Sequence, residues 1–359
     1  MGLIHPRSLE RWQEWERSRQ RAQRAQRAVS DRLHSRRRRG AGEDDPGPTG
    51  YEVISRDGEK SERLLIAIDS ATPRSRASLL TALPYLRWGV DLLVPAGMEL
   101  PEVDESWPRR PVTDPAREAA DLGPAAVLSL GQHRDVGFAA HQAALRRGAP
   151  SFVVQYGALT PFAPPPPPGA TLLSWSAADG EFIAEDRPDV VFRAVGSQLL
   201  WQAAHDSYAA ALDAVTEDQP VFLGQMQGPE LPRRLTAGTA YRFCRENDAL
   251  YRPHPEETDL PSRAMHDLFR RRGITITDTD VPLKNVPNPV VGMFSTGILE
   301  AAVRGIPAWV HLPGAPDWVE EFWERYGLHR FGTDEPSPAP KLAVEEPASL
   351  IAQVLEGDA

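Results

Sequence analysis

Three groups of residues have the types and spacing that chemistry needs. Ser295, Thr296 and Gly297 follow the apolar run Pro289–Phe294 and open the helical pattern Ile298–Arg304. Free backbone N–H groups, two hydroxyls and the positive end of a helix dipole would meet there, which suits an anion such as phosphate. The same letters also read as a plain N-cap. Arg252 and His254, in Tyr251–Pro255, are placed at the end of a neighbouring strand and both can donate to phosphate. Glu300, one turn into the helix, could accept from ribose hydroxyls. The set suits a nucleotide diphosphate.

The other two groups lie earlier. Gln132, His133, Arg134 and Asp135 form a polar loop. His133 could serve as a general base with Asp135 fixing its tautomer, or be a surface histidine. Gln155, Tyr156 and Gly157 form a second loop. His141 reads as structural and Cys244 as a small buried hydrophobe.

These loops need strands to carry them. Apolar runs at 62–69, 89–95, 125–130, 151–155, 171–176 and 190–195 alternate with helical stretches at 79–86 and 138–147. A second series holds strands at 220–225, 250–254, 274–280, 289–294 and 308–312, with helices at 231–247, 261–273, 298–304 and 317–326. Strands alternating with helices predict an α/β fold with parallel sheets and ligand loops at the carboxyl ends of the strands. The run Pro164–Pro168 reads as a polyproline II spacer or a rigid wall. The helix at 317–326 presents Trp318, Phe322 and Trp323 to a core, and residues 347–355 form a short terminal helix.

The first 40 residues hold 12 arginines against Glu10, Glu14, Glu16 and Asp31, a net of +8 in a chain of net charge −10. They read as a basic helix capped by Ser8, solvated or set in a membrane interface with Trp12 and Trp15 among headgroups and Arg36–Arg39 on anionic lipid. The rest of the chain sums to −18, which repels duplex nucleic acid. No apolar run suits a spanning helix or a secretory signal, and a single cysteine among 359 residues fits a reducing cytoplasm. The expected division is a basic arm at 1–40, a linker at 41–62, domains at 63–200 and 201–330, and a tail at 331–359.

Four stretches carry a resemblance: GAPSFVVQYGALTP at 148–161, VGS at 195–197, YRPHPEETD at 251–259 and FSTGILEAAVRGIPAWV at 294–310. Together they resemble the GT-B glycosyltransferases, and within them the CDP-glycerol and CDP-ribitol polyol-phosphate transferases of teichoic acid synthesis. Bacterial polysialyltransferases, with CMP-linked donors, share a similar His-Pro and Ser/Thr element. The resemblance implies two Rossmann-like domains with an interdomain cleft. It places donor phosphate on His254, Ser295 and Thr296, and an acceptor-side base in the first domain. Where relatives carry Gln-His-Gly, this chain has Gln155-Tyr156-Gly157. Tyrosine, with a pKa of about 10, is a poor base near neutrality. His133 with Asp135 then takes that role, or the activity is altered.

The implied function is an enzyme that transfers a glycosyl or polyol-phosphate group from a CDP-, CMP- or UDP-linked donor to a lipid-linked or glycan acceptor. Its product would be a cell-surface polysaccharide or a teichoic-acid-like polymer, made at the inner membrane face. No metal site and no cofactor are expected. The alternatives are a non-catalytic nucleotide-binding scaffold of a glycan assembly complex and a nucleotide-sugar epimerase.

Overall fold

The computed structural model describes residues 2–19, 50–205, 219–277, 283 and 286–357. Helix α1 takes residues 9–19. There follow β1 (Tyr51–Arg56), β2 (Arg63–Ala67), α2 (Pro73–Leu79), β3 (Gly89–Pro95), β4 (Arg109–Val112), α3 (Pro115–Leu122), β5 (Ala126–Ser129) and α4 (Asp135–Arg147). Next come β6 (Ser151–Val154), β7 (Thr171–Ser174), α5 (Ala177–Ala184), β8 (Val191–Ala194) and α6 (Gln198–His205). The remaining elements are β9 (Val221–Leu223), α7 (Arg233–Glu246), β10 (Leu250–Arg252), α8 (Leu260–Arg271), β11 (Val290–Gly292), α9 (Thr296–Val303), β12 (Ala308–Val310), α10 (Asp317–Arg325) and α11 (Pro347–Glu356). The fold is α/β, in two compact units. The first takes residues 1–13, 44–201 and 342–359, and the second residues 14–43 and 202–341.

The first unit holds an eight-stranded sheet of order β4-β1-β3-β2-β5-β6-β7-β8. From β3 to β8 every pairing is parallel, while β1 pairs antiparallel with β3 and β4. Side chains alternate across the central strands, as the pleat requires. Leu64, Ile66 and Leu92 face Ile351, Ala352 and Leu355 of α11, while Leu65, Ala67 and Leu93 face Val136, Ala139 and Ala140 of α4. Such strands read as continuous apolar runs because both faces are covered.

Several expectations are corrected. β1 lies inside the stretch 41–62 assigned to a linker; its half-buried alternation is hidden by polar residues. The helix expected at 79–86 is displaced to α2, where Thr72 caps the chain and Pro73 takes the first helical position. Pro84 leaves only a single 3₁₀ turn over Leu83–Tyr85. Trp12 does not sit among headgroups: it is buried in the first unit and its indole N–H donates to the Phe162 carbonyl at 2.7 Å. Arg36–Arg39 lie outside the described residues. No helix among the described residues is long and apolar enough to cross a membrane.

The chain tail belongs to the first unit. The Gln198 carboxamide donates to Glu346 at 2.7 Å and accepts from the Ala348 N–H at 2.9 Å, fixing the start of α11. At its far end Glu356 accepts from the backbone N–H groups of Arg87 and Trp88. Helix α10 buries Phe322 and Trp323 within the second unit, as its periodicity implied, together with Val319, while Trp318 is half-buried against Phe294.

The second unit has a parallel sheet of order β10-β9-β11-β12. Single parallel bridges extend it: Ile276 beside Tyr251 of β10, and Arg330 beside Val310 of β12. The strand expected at 274–280 is reduced, among the described residues, to that bridge. Counted in chain order, the six positions run 3-2-1-4-5-6, the doubly wound order of a Rossmann unit.

The proline run is a wall held from behind. Arg187, 4% exposed, donates to the carbonyls of Pro6, Pro166 and Pro167 at 2.7, 2.9 and 3.1 Å and forms a two-pronged pair with Asp189 at 2.7 and 2.8 Å. Arg187→Ala should cost about 2–4 kcal/mol, since several buried acceptors lose a charged donor at once. Urea unfolding of the two proteins checks this.

Candidate functional site

In a doubly wound sheet, ligands bind where the strand order reverses, at the carboxyl ends of the two diverging strands. Each unit has such a point. In the first it lies between β2 and β5, in the second between β9 and β11.

Both points are bridged by a polar side chain, which lands on the first helical turn in the first unit and on the loop before the helix in the second. Asp69, just past β2, accepts the N–H groups of Val136 and Gly137 in the first turn of α4, at 2.8 and 2.9 Å. Gln225, two residues past β9, accepts the N–H groups of Met293 and Phe294 beyond β11, both at 3.1 Å. The two also differ in charge. Asp69 brings an anion of its own to the start of α4. Burial leaves its pKa raised, and the two backbone bonds offset this only in part. Gln225 is neutral, so its bridge leaves the start of α9 without a resident anion.

At that start Ser295 is the N-cap, its Oγ accepting from the Gly297 N–H at 3.1 Å. The cap reading of these letters is therefore correct. It still leaves the Ser295 hydroxyl proton free to donate to an anion. Thr296 is buried. Gly297 packs so closely that a Cβ would stand 2.9 Å from Leu223 of β9 and 2.8 Å from Leu283. Glu300 is half-buried one turn further on.

Arg252 and His254 stand at the same sheet edge, yet their strand does not adjoin β11. β9 lies between them, so the two strand ends are about 10 Å apart. Arg252 is 9% exposed. His254 Nδ1 accepts the Glu256 N–H at 3.2 Å, which puts the proton of the neutral ring on Nε2 and makes that atom a donor.

The loops are braced from below by a residue that the sequence analysis quoted without assigning. Glu257, fully buried, accepts from the Tyr251 hydroxyl at 2.8 Å and the Met226 N–H at 2.9 Å, and meets His266 Nε2 at 2.9 Å. Burial, then the Glu257 charge, raise the Tyr251 pKa well above its usual value. Only glycine fits at 224, where a Cβ would lie 2.4 Å from the Tyr251 oxygen. Asp259 caps α8 and pairs with Arg233 at 2.7 Å, and Arg233 in turn donates to the Met226 carbonyl at 3.1 Å. The exits of β9 and β10 are thus one rigid piece.

The first unit treats its expected residues differently. His133 and Asp135 do not form a hydrogen-bonded pair. Asp135 accepts from the Tyr51 hydroxyl at 3.4 Å, while the His133 ring packs edge-on to Trp12 with 5.7 Å between centroids. His133 Nδ1 is buried without a hydrogen-bond partner. Burial, then the nearby Arg134 charge, lower the His133 pKa to about 4. The physical reason is placement: Asp135 is the first residue of α4 and turns outward, while Trp12 closes over the ring.

Gln155 is a brace. Its carboxamide donates to the Gly157 carbonyl at 3.1 Å and accepts the Trp175 N–H at 2.8 Å. It shapes the loop that carries Tyr156 and Gly157, both half-buried. Asp278-Thr279-Asp280, an Asp-X-Asp sequence, lies outside the described residues. Among the described residues no three His, Cys, Asp or Glu side chains group as metal ligands. Asp69 and Gln225 were legible in principle, each being the polar residue that ends an apolar run.

No family model matches the chain, and no curated protein matches it. Solved structures are similar to it. The UDP-GlcNAc 2-epimerase from Methanocaldococcus jannaschii is 12% identical with a TM-score of 0.45, over 82% of this chain and 100% of that one. The UDP-N-acetylglucosamine 2-epimerase from Rickettsia bellii is 13% identical with a TM-score of 0.48, over 83% and 95%. A glycosyltransferase from Rickettsia africae ESF-5 is 11% identical with a TM-score of 0.45, over 83% and 88%.

Acid should destabilise the first unit through His141. Its Nε2 meets Ser129 Oγ at 2.6 Å, and burial lowers its pKa to about 4. In the unfolded chain it titrates near 6.5. Between these values only the unfolded chain holds the proton, so stability is unaffected above pH 6.5 and falls as pH drops toward 4. The full loss is about 3 kcal/mol. Urea midpoints at pH 7, 5.5 and 4 should show a shallower decline in His141→Asn.

Proposed function

We propose that the chain transfers a glycosyl or polyol-phosphate group from a nucleotide-activated donor to an acceptor hydroxyl, in the making of a cell-surface polysaccharide or teichoic-acid-like polymer. The observation that carries the reading is the contrast between Asp69 and Gln225. A helix start already holding a carboxylate repels a second anion. One bridged by a carboxamide offers its dipole and the Ser295 hydroxyl to phosphate.

In this reading the donor is CDP-, CMP- or UDP-linked; a diphosphate reaches from His254 to Ser295–Gly297, and the single phosphate of a CMP-linked donor meets one end. His254 Nε2–H and Arg252 donate to one end, the first turn of α9 to the other, and Glu300 accepts from the ribose. Charge builds on the nucleotide as the bond to the transferred group breaks. The His254 ring, fixed beforehand by the Glu256 N–H, stabilises it without rearranging. The acceptor, lipid-linked or a free glycan, lies against the loops of the first unit at Tyr156 and Gly157. His133 takes its proton as a lone imidazole, since Asp135 is not in contact with it.

A second reading draws on the covered His133. A base with a pKa near 4 drives proton transfer weakly at neutral pH. A chain that binds nucleotide and turns nothing over would be a scaffold of a glycan assembly complex.

Calorimetric titration with CDP, CMP and UDP tests the proposal. At least one should bind, and His254→Ala should weaken it about tenfold or more with an unchanged melting temperature. Absence of binding to all three defeats both readings. Binding without consumption of any labelled CDP-polyol or nucleotide sugar leaves the scaffold.

A further inference from the structure

A cavity of about 360 Å³ lies in the first unit, between Gln132 of the loop after β5 and the segments that flank the start of β6. One wall is the outer side of α4, with His141, Gln142 and Leu145. The other is the end of the proline run, Pro167 and Pro168, and the floor includes Ser151 at the start of β6. We propose that this cavity binds a neutral sugar residue of the acceptor, a reading that rests on the proposed transferase function and names its acceptor class.

The walls are set before any ligand arrives. The proline run is pinned by Arg187, and α4 is anchored through its first turn by Asp69. A preformed site spares the ligand the cost of ordering it. Gln132 reaches the same cavity and is 8% exposed, yet no described residue hydrogen-bonds its carboxamide. Its amide atoms keep some exposure, so donors and an acceptor are open to a ligand. The Ser129–His141 contact of 2.6 Å suits a hydroxyl donor, so Ser129 holds the ring as a neutral imidazole.

The chemistry of the lining selects the ligand. None of the lining side chains carries a formal charge, which disfavours phosphorylated or acidic sugars. No Phe, Tyr or Trp lines it, and the one ring present, the His141 imidazole, is 3% exposed, so a flat heterocycle finds no open ring face to stack on. Carboxamide, hydroxyl and imidazole groups arrive from the helix, the strand start and the loop. That spread matches hydroxyls around a sugar ring, with aliphatic proline and leucine surface for its C–H groups.

Saturation-transfer NMR on the full chain, with methyl α-glucoside and N-acetylglucosamine as probes and glucuronate and glucose 6-phosphate as charged counterparts, tests this. A neutral probe should bind in the millimolar range and the charged ones at least fivefold more weakly. Gln132→Leu should reduce neutral binding at least fivefold with melting temperature and nucleotide affinity unchanged. Gln142→Leu, on the partly exposed helix face, gives a second reading should Gln132→Leu fail to fold. No saturation transfer from either neutral probe at about 20 mM, well above the weak-binding range, overturns the proposal. So does binding indifferent to both substitutions. Loss of nucleotide binding with sugar binding intact would tell against the transferase reading and leave the cavity standing.

Discussion

Backbone N–H groups that face a strand-order reversal must find an acceptor, and the identity of that acceptor governs what else can bind. In the first unit it is Asp69, whose carboxylate satisfies two amides and fills the positive end of α4. In the second it is Gln225, which satisfies two amides and adds no charge. The two units share a plan and differ at this position by one ionisable group. In the proposed function that difference directs phosphate to the second unit and leaves the first for a neutral partner.

The surrounding structure serves to keep these bridges still. Glu257 ties the exits of β9 and β10 through Tyr251, Met226 and His266, and Asp259 extends the tie through Arg233. In the first unit α11 closes one face of the sheet and α4 the other. The N-terminal strap adds a cover. Leu3 joins the apolar cluster around Val153 and Leu172, and Trp12 closes over His133. A half-buried imidazole with a covered Nδ1 is the direct result, and its low proton affinity follows from loss of water.

Much of this was legible as pattern. The parallel strands announced themselves as apolar runs, and the residues expected to meet a donor fell at one sheet edge because they ended such runs. The antiparallel strands β1 and β4 escaped notice because their alternation is carried by residues such as Tyr51, Glu52 and Arg110. Side-chain pairing was harder still. His133 and Asp135 are two apart in sequence, but a helix begins between them and sends them different ways. Trp12 met His133 across more than a hundred residues, a contact that no local rule anticipates. Gln155 looked like a cleft residue and proved to be a brace, since its spacing to Trp175 depends on β6 lying beside β7.

The most direct measurement is the nucleotide affinity of Gln225→Glu, with the melting temperature recorded alongside. The variant keeps an acceptor for both amides and gives the second unit the charge that the first already has. A carboxylate about 6 Å from the donor phosphate should cost about 2–3 kcal/mol at an effective dielectric near 20, so binding of CDP, CMP or UDP should weaken at least 30-fold. An affinity equal to that of the unaltered chain, in a protein that melts at the same temperature, would contradict the account.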